Sequence, residues 1–245
     1  MNKVYVLFII FIMTCAFSAN AQNQFETDIM KTSAGDLTIT CIGHGSVMFK
    51  FGGMIIHIDP FGKVADYSKL PKADVILITH EHRDHLDVQA LSHIRTEKTV
   101  MVMTEQCSKQ LQDGIVMKNG DVRTVKGLII EAIPAYNLVH KRDNGEPFHP
   151  KGIGNGYIIT FGDKRVYVAG DTENIPEMKD LKGIDCAFLP MNLPYTMTPE
   201  MVADAAKAFQ PKILYPYHYG TTDTAKLLEL LKDLKGIEVR IRKME

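Results

Sequence analysis

Val75-Ile76-Leu77-Ile78, followed by Thr79-His80-Glu81-His82-Arg83-Asp84-His85-Leu86-Asp87, is the stretch on which the reading of this chain turns. Four consecutive aliphatic residues, three of them β-branched, suit a short strand buried on both faces. The run then breaks into three histidines and an aspartate within six residues. A packed core rejects that composition, and an ordinary solvated turn has no use for it. At a strand end, a tight turn aims His80, His82, Asp84 and His85 into one cavity. Imidazoles and carboxylates together suit zinc or a similar transition metal. The interleaved Glu81 and Arg83 are expected to point away or to stand behind the ligands.

On either side, short β-rich runs alternate with helical segments. Strands are expected at Leu37–Ile42, Ser46–Phe51, Met54–Ile58 and Val75–Thr79, then at Gly127–Ile133, Tyr157–Phe161, Arg165–Ala169, Ala187–Pro190 and Ile213–Tyr217. Helices are expected over Asp87–Arg95, Thr104–Gln112, Thr198–Phe209 and Thr222–Lys235. In the third, Thr198 caps and Pro199 takes the first helical position. In the fourth, Leu227, Leu228, Leu231 and Leu234 form an apolar stripe that Gly236 ends. The chain also echoes itself. Val47–Phe51, a glycine turn and Met54–Asp59 repeat as Tyr157–Phe161, a glycine turn and Arg165–Asp171, each followed by a further apolar strand. Two such halves suggest two sheets packed face to face with helices outside. No linker divides them, so one domain is expected.

The whole sequence has 245 residues, 45% of them hydrophobic, with 28 basic residues against 29 acidic and a net charge of −1. Disorder, a disulfide miniprotein and a polyanion-binding surface are excluded on those grounds. Lys3, the apolar run Val4–Phe17 and small Ala19 and Ala21 read as a signal peptide over residues 1–21, cleaved before Gln22. The expectation is an exported protein, periplasmic or secreted, whose residues 22–245 form the single domain and contain no membrane span. Cys41, Cys107 and Cys186 would remain, an odd number at distant positions, and read as buried hydrophobes.

His-x-His-x-Asp-His after a hydrophobic strand resembles the signature of the metallo-β-lactamase superfamily. The resemblance extends through Ala169-Gly170-Asp171-Thr172 and Tyr217-His218-Tyr219-Gly220, covering roughly Leu37 to Gly220. Gly43-His44-Gly45-Ser46 with Ile58-Asp59-Pro60 is similar to the opening of the branch that includes ascorbate-6-phosphate lactonase and N-acyl-phosphatidylethanolamine phospholipase D. The resemblance implies an α/β fold, a four-layer αββα sandwich of two packed mixed sheets with helices outside. It also implies two divalent metal ions, zinc foremost, with manganese or iron as alternatives. His80 and His82 would hold the first with a third histidine. Asp84, His85 and His218 would hold the second, with Asp171 bridging and Asp84 orienting a metal-bound hydroxide as the catalytic residue.

The third ligand of the first metal departs from the branch pattern, because Pro134-Ala135-Tyr136-Asn137 stands where relatives carry a histidine. His149, eight residues before Tyr157, is preferred, with Asn137 and His140 as alternatives. The segment 137–156 lacks periodicity, and a connection of that length in a compact domain is usually functional. His44 and Asp59, and Asn137 if it does not bind, are candidates for orienting ligand imidazoles from behind. Lys141, Arg142 and Lys151 are candidates for an anionic substrate group, and Asn192, Tyr195 and Tyr219 for other substrate contacts; His57 and His93 read as structural or exposed.

The function implied is a metal-dependent hydrolase acting on an ester, lactone or phosphodiester of a small molecule, with no nucleic-acid partner. A non-catalytic metal- or ligand-binding module is the alternative from another class, and a β-lactamase or a di-iron redox protein are lesser ones. The redox reading prefers a carboxylate at the position of His82, and no flavin domain is visible.

Overall fold

The computed structural model describes residues 25–245; the expected signal segment, residues 1–21, lies outside them. Seven strands run side by side in chain order: β1 (Glu26–Thr32), β2 (Gly35–Gly43), β3 (Ser46–Phe51), β4 (Met54–Ile58), β5 (Val75–Leu77), β6 (Val100–Met103) and β7 (Ile115–Val116). β1 to β4 pair antiparallel, and from β4 onward the pairing is parallel. The second sheet repeats the plan with β8 (Val122–Val125), β9 (Leu128–Ala135), β10 (Gly154–Phe161), β11 (Lys164–Val168), β12 (Cys186–Pro190), β13 (Ile213–Tyr217) and β14 (Glu238–Val239). Its first four strands are antiparallel and its last three join in parallel. The internal echo is thus a repeat of architecture: hairpin β3–β4 leads to Asp59 and hairpin β10–β11 leads to Asp171.

Alternation decides which side chains meet between the sheets. Val47, Phe49 and Phe51 of β3 and Tyr157, Ile159 and Phe161 of β10 all enter the central core. Phe49 meets Phe161 at 5.4 Å and Phe188 at 6.2 Å between ring centroids. Burying one such ring contributes about 2–3 kcal/mol. The opposite faces are covered by helices. α1 (Val88–Ile94) and α2 (Glu105–Ser108) lie over Ile76, Ile78 and Met101. α3 (Pro199–Phe209) and α4 (Thr224–Leu231) lie over Ile158, Ala187 and Leu214. The layers are therefore helix, sheet, sheet, helix.

Local chemistry sets the helix ends. Asp87 caps α1 by accepting from the N–H groups of Gln89 and Ala90, and Thr198 caps α3 by accepting from Met201 N–H. Two helices are shorter than their patterns suggest. α2 stops at Ser108, whose hydroxyl donates back to the Glu105 carbonyl and competes with the helix ladder. α4 begins after Asp223 and ends at Leu231. It buries Leu227 and Leu231 but leaves Leu228 exposed, so the expected stripe is narrower by one residue.

His57, on β4, is completely buried against Tyr67, with Nε2 3.2 Å from the Pro71 carbonyl. Burial lowers its pKa to about 4, so the ring is neutral in the folded protein and protonated near its ordinary value once unfolded. Below pH 6.5 the unfolded state binds the extra proton, and stability falls as pH drops toward 4. The contribution is about 3 kcal/mol. Urea unfolding of metal-free protein at pH 7 and pH 4.5 is expected to show a steeper loss for wild type than for His57→Gln. Equal losses would remove His57 from the acid response.

Candidate metal centre

The loops at one edge of the sandwich converge beyond the ends of β5, β11 and β13. From β5, Thr79 brings His80, His82, Asp84 and His85; from β11, Gly170 brings Asp171; from β13 comes His218. The β2–β3 turn adds His44 in a left-handed conformation, φ 51°. It is latched to the other sheet by a 3.0 Å bond from His218 N–H to the His44 carbonyl. Two glycines permit this crowding. A Cβ on Gly45 would stand 2.8 Å from Cε1 of His85, and one on Gly170 would stand 2.9 Å from the Asn155 carbonyl.

Asp171 lies at the centre, with its carboxylate 3.2 Å from Nε2 of His149, 3.4 Å from Nε2 of His85, 3.6 Å from Nε2 of His218 and 3.9 Å from Nε2 of His80. The four rings are held from behind through Nδ1. His80 has Thr79 Oγ1 at 3.0 Å, His85 has Asp59 Oδ2 at 2.7 Å, His149 has Asn137 Oδ1 at 2.7 Å and His218 has the Asn192 amide at 3.2 Å. Thr79 donates its hydroxyl to Asp59 at 2.6 Å, so it receives His80 through its remaining lone pair. An imidazole that donates from Nδ1 offers Nε2 as a ligand, which fits His80, His85 and His149. At His218 the Asn192 amide nitrogen faces Nδ1, and the amide would have to present its oxygen there to leave Nε2 free.

Three triads place their donor atoms within 4.8 Å of one another: His80, His82 and His149; His80, His85 and Asp171; and His44, Asp84 and His218. Asp84 Oδ2 is 3.1 Å from His44 Nε2, 3.4 Å from His218 Nε2 and 3.8 Å from His85 Nε2. His44 therefore stands level with Asp84 and His218, its ring 3.7 Å from that of His218. Asp59 lies behind His85, fully buried.

Charge in the cluster is one-sided. Burial works against ionising Asp171 and Asp84, yet the surrounding imidazoles outweigh it and hold both carboxyls well below the usual range. Burial likewise opposes charge on His85, but Asp171 and Asp59 on either side raise its pKa to about 10. Burial, then the charge on His85, keeps His80 neutral to well below its ordinary pKa, and burial lowers His82 too. A cation suits this environment better than a proton does. Among the described residues, His85 Nε2, Asp171 Oδ1 and His218 Nε2 are buried here without a hydrogen-bond partner. An unmatched buried polar atom costs about 1–3 kcal/mol. His85 Nε2 lies 3.4 Å from one oxygen of Asp171 and His218 Nε2 3.6 Å from the other. These unmatched atoms around one carboxylate fit a divalent metal, and a nitrogen–oxygen donor set suits zinc, manganese or iron.

The structure separates the remaining candidates. Asn137 sits behind His149, and His140 turns away with Nδ1 2.7 Å from Glu173. Arg142, Asn192 and Tyr195 line a cavity of about 480 Å³ over Asp84 and Asp171, together with Arg83 and Phe148. Lys151 does not line it: Nζ is bound to Glu177 at 2.9 Å and to the Tyr136 hydroxyl at 3.1 Å. Tyr219 does not line it either, because its hydroxyl donates to the Arg242 carbonyl at 2.7 Å. Thr79, and Tyr157 whose hydroxyl holds the Ile78 carbonyl at 2.9 Å, shape the site without having been singled out in the sequence. Glu173 is a third such residue, and its only signal is its place two residues after Asp171.

A family profile described as the β-lactamase superfamily domain matches residues 38–218. The chain belongs to the β-lactamase superfamily. It is similar to a UPF0173 metal-dependent hydrolase of Methanopyrus kandleri, 31% identical across 76% of this chain and 85% of that protein. A crystal structure from Parabacteroides distasonis, described as a candidate metal-dependent hydrolase, is 52% identical with a TM-score of 0.86, covering 90% of this chain and all of that one. Igni18, a metallo hydrolase from Ignicoccus hospitalis, is 26% identical with a TM-score of 0.70, covering 85% and 95% of the two chains. The protein is accordingly a metal-dependent hydrolase with the two-sheet metallo-β-lactamase fold. Among the described residues, no helix is long and apolar enough to cross a membrane.

Proposed function

We propose that this β-lactamase superfamily protein hydrolyses an ester, lactone or phosphodiester bond of a small anionic molecule, as the lactonase and phospholipase-like branch does. The observation that carries the reading is the set of histidines aimed at Asp171 beside an accessible Asp84. His80, His82 and His149 would hold one metal, and Asp84, His85 and His218 a second with Asp171 between them. His44 is placed to join the second group. When bound, such ions supply Lewis acidity that lowers the pKa of water and offsets negative charge developing on oxygen. Asp84 remains ionised, so it accepts a hydrogen bond and orients the attacking water rather than keeping its proton. Arg83 and Arg142 have no carboxylate partner among the described residues and face the cavity beside Phe148 and Tyr195. They suit an anionic group next to a flat or apolar one. The pattern Lys3–Ala21 supports action outside the cytoplasm.

Zinc- or manganese-loaded protein is to be assayed against panels of lactones, phosphodiesters and N-acyl phospholipids. Turnover of at least one class is expected, with Arg142→Ala raising KM about tenfold and leaving kcat within about twofold. Metal-loaded protein that turns over none of the three would favour the binding-module reading instead.

A further inference from the structure

The loop that carries His149 leaves β9 at Tyr136 and returns to β10 at Gly154. It doubles back on itself, with Lys141 bridged to Pro147 and Asn137 N–H donating to the His149 carbonyl at 2.9 Å. A carboxylate from elsewhere in the chain holds the start of this loop. Glu173 is fully buried. Its Oε2 accepts the N–H groups of Leu138 at 2.6 Å and Val139 at 2.7 Å. Its Oε1 accepts the His140 N–H at 2.7 Å and the Asn137 side-chain amide at 3.1 Å. Three successive backbone donors around one anion form a nest, a backbone shape that favours negative charge.

We propose that Glu173 is a positioning residue which fixes the orientation of the Asn137 amide and, through it, the tautomer and place of His149. The proposal rests on His149 being a metal ligand. The amide nitrogen of Asn137 donates to Glu173 and also to the Tyr195 carbonyl at 2.9 Å. Both partners are acceptors, so turning the amide over would set its oxygen against a carboxylate and a carbonyl. With the nitrogen committed, Oδ1 faces His149. There it accepts the His149 backbone N–H at 2.9 Å and lies 2.7 Å from ring Nδ1. An oxygen that only accepts requires the proton on Nδ1, and Nε2 is left to face Asp171 and the metal. A neutral amide behind a histidine ligand can be turned either way; here the buried carboxylate, together with the Tyr195 carbonyl and the His149 N–H, settles which.

Zinc affinity, measured by competition with a chromophoric chelator, tests this in a double-mutant cycle of Glu173→Gln and Asn137→Ala. Glu173→Gln is expected to weaken zinc binding at the His80–His82–His149 group at least about tenfold in the wild-type background. In the Asn137→Ala background it is expected to change affinity less than about twofold, because the relay is already cut. Side-chain nitrogen NMR of the zinc-loaded protein should show the His149 Nδ1–H signal in wild type and its loss or exchange broadening in Glu173→Gln. Should Glu173→Gln fail to fold, Glu173→Asp takes its place, keeping the charge but withdrawing it from Asn137. Additive effects in the cycle, or an unchanged Nδ1–H signal, would overturn the relay. Neither readout needs turnover, so a failure here is distinct from a failure of the hydrolase reading.

Discussion

Asp84→Asn is expected to lower kcat/KM by at least about a thousandfold, or about 4 kcal/mol of transition-state stabilisation. The substitution keeps size and shape while removing the charge and half of the acceptor capacity. In the wild type, Asp84 stays ionised because contacts from His218 and His44 outweigh the cost of burial. The asparagine has no such charge to steady His44, His85 or a polarised water. Its effect on folding should be small, because the Asp84 side chain is 35% exposed and its close polar contacts are all with imidazoles. The measurement is steady-state kinetics on zinc-loaded variant, alongside its melting temperature and metal content. At least one ion should remain, since His80, His82 and His149 do not involve Asp84. A folded, metal-loaded variant with wild-type kcat/KM would remove Asp84 from the chemistry.

The architecture was legible wherever the apolar pattern had one dominant cause. β3, β4, β10 and β11 read as short apolar runs because each has a core side and a second, largely packed side, and glycine turns mark their hairpins. Asp59 and Asp171 end equivalent hairpins, and the fold brings them to opposite nitrogens of one ring: Asp59 to Nδ1 of His85, Asp171 to Nε2. Edge elements were less legible. β1 buries only Met30 and leaves Ile29 62% exposed, so its sequence Glu-Thr-Asp-Ile-Met-Lys-Thr carries almost no burial signal. β6 hides for another reason: two of its four residues are methionine, a good helix former that weakens the strand signal of the two valines. In the candidate site, the donor cluster was visible because His80 to His85 lie on one turn. Lys151 was misplaced because nothing local shows that Glu177, 26 residues away, captures its ammonium. Tyr219 was misplaced likewise, since its partners Arg242 and Glu245 lie in the chain's last residues. Glu173 was invisible until the loop it holds had a shape.

The same loop supplies the remaining prediction, which separates three residues of similar promise in the sequence. His149→Ala is expected to lower the affinity of the His80–His82 site for zinc by at least about tenfold, whereas His140→Ala should change it less than about twofold. Geometry makes the distinction. His149 is buried, shares a triad with His80 and His82, and has its ring 4.9 Å from that of His82 and 5.1 Å from that of His80. His140 lies only three residues beyond Asn137, yet its ring stands beside Glu173, with Nδ1 2.7 Å from the carboxylate, and it belongs to none of the three donor triads among the described residues. The loop also limits what binding must order. Pro147 and Pro150 flank His149 and restrict the backbone, and hydrogen bonds between Asn137 and His149 close the turn. A preorganised imidazole loses little freedom when it coordinates, so its removal costs nearly the whole interaction. Asn137 compensates poorly, because its Oδ1 still accepts the backbone N–H of position 149 and a neutral amide oxygen is a weaker zinc ligand than an imidazole. Chelator competition on the two alanine variants and wild type, at one pH and ionic strength, reads the difference directly. Wild-type affinity in His149→Ala would return the ligand position to the neighbourhood of Asn137 and His140.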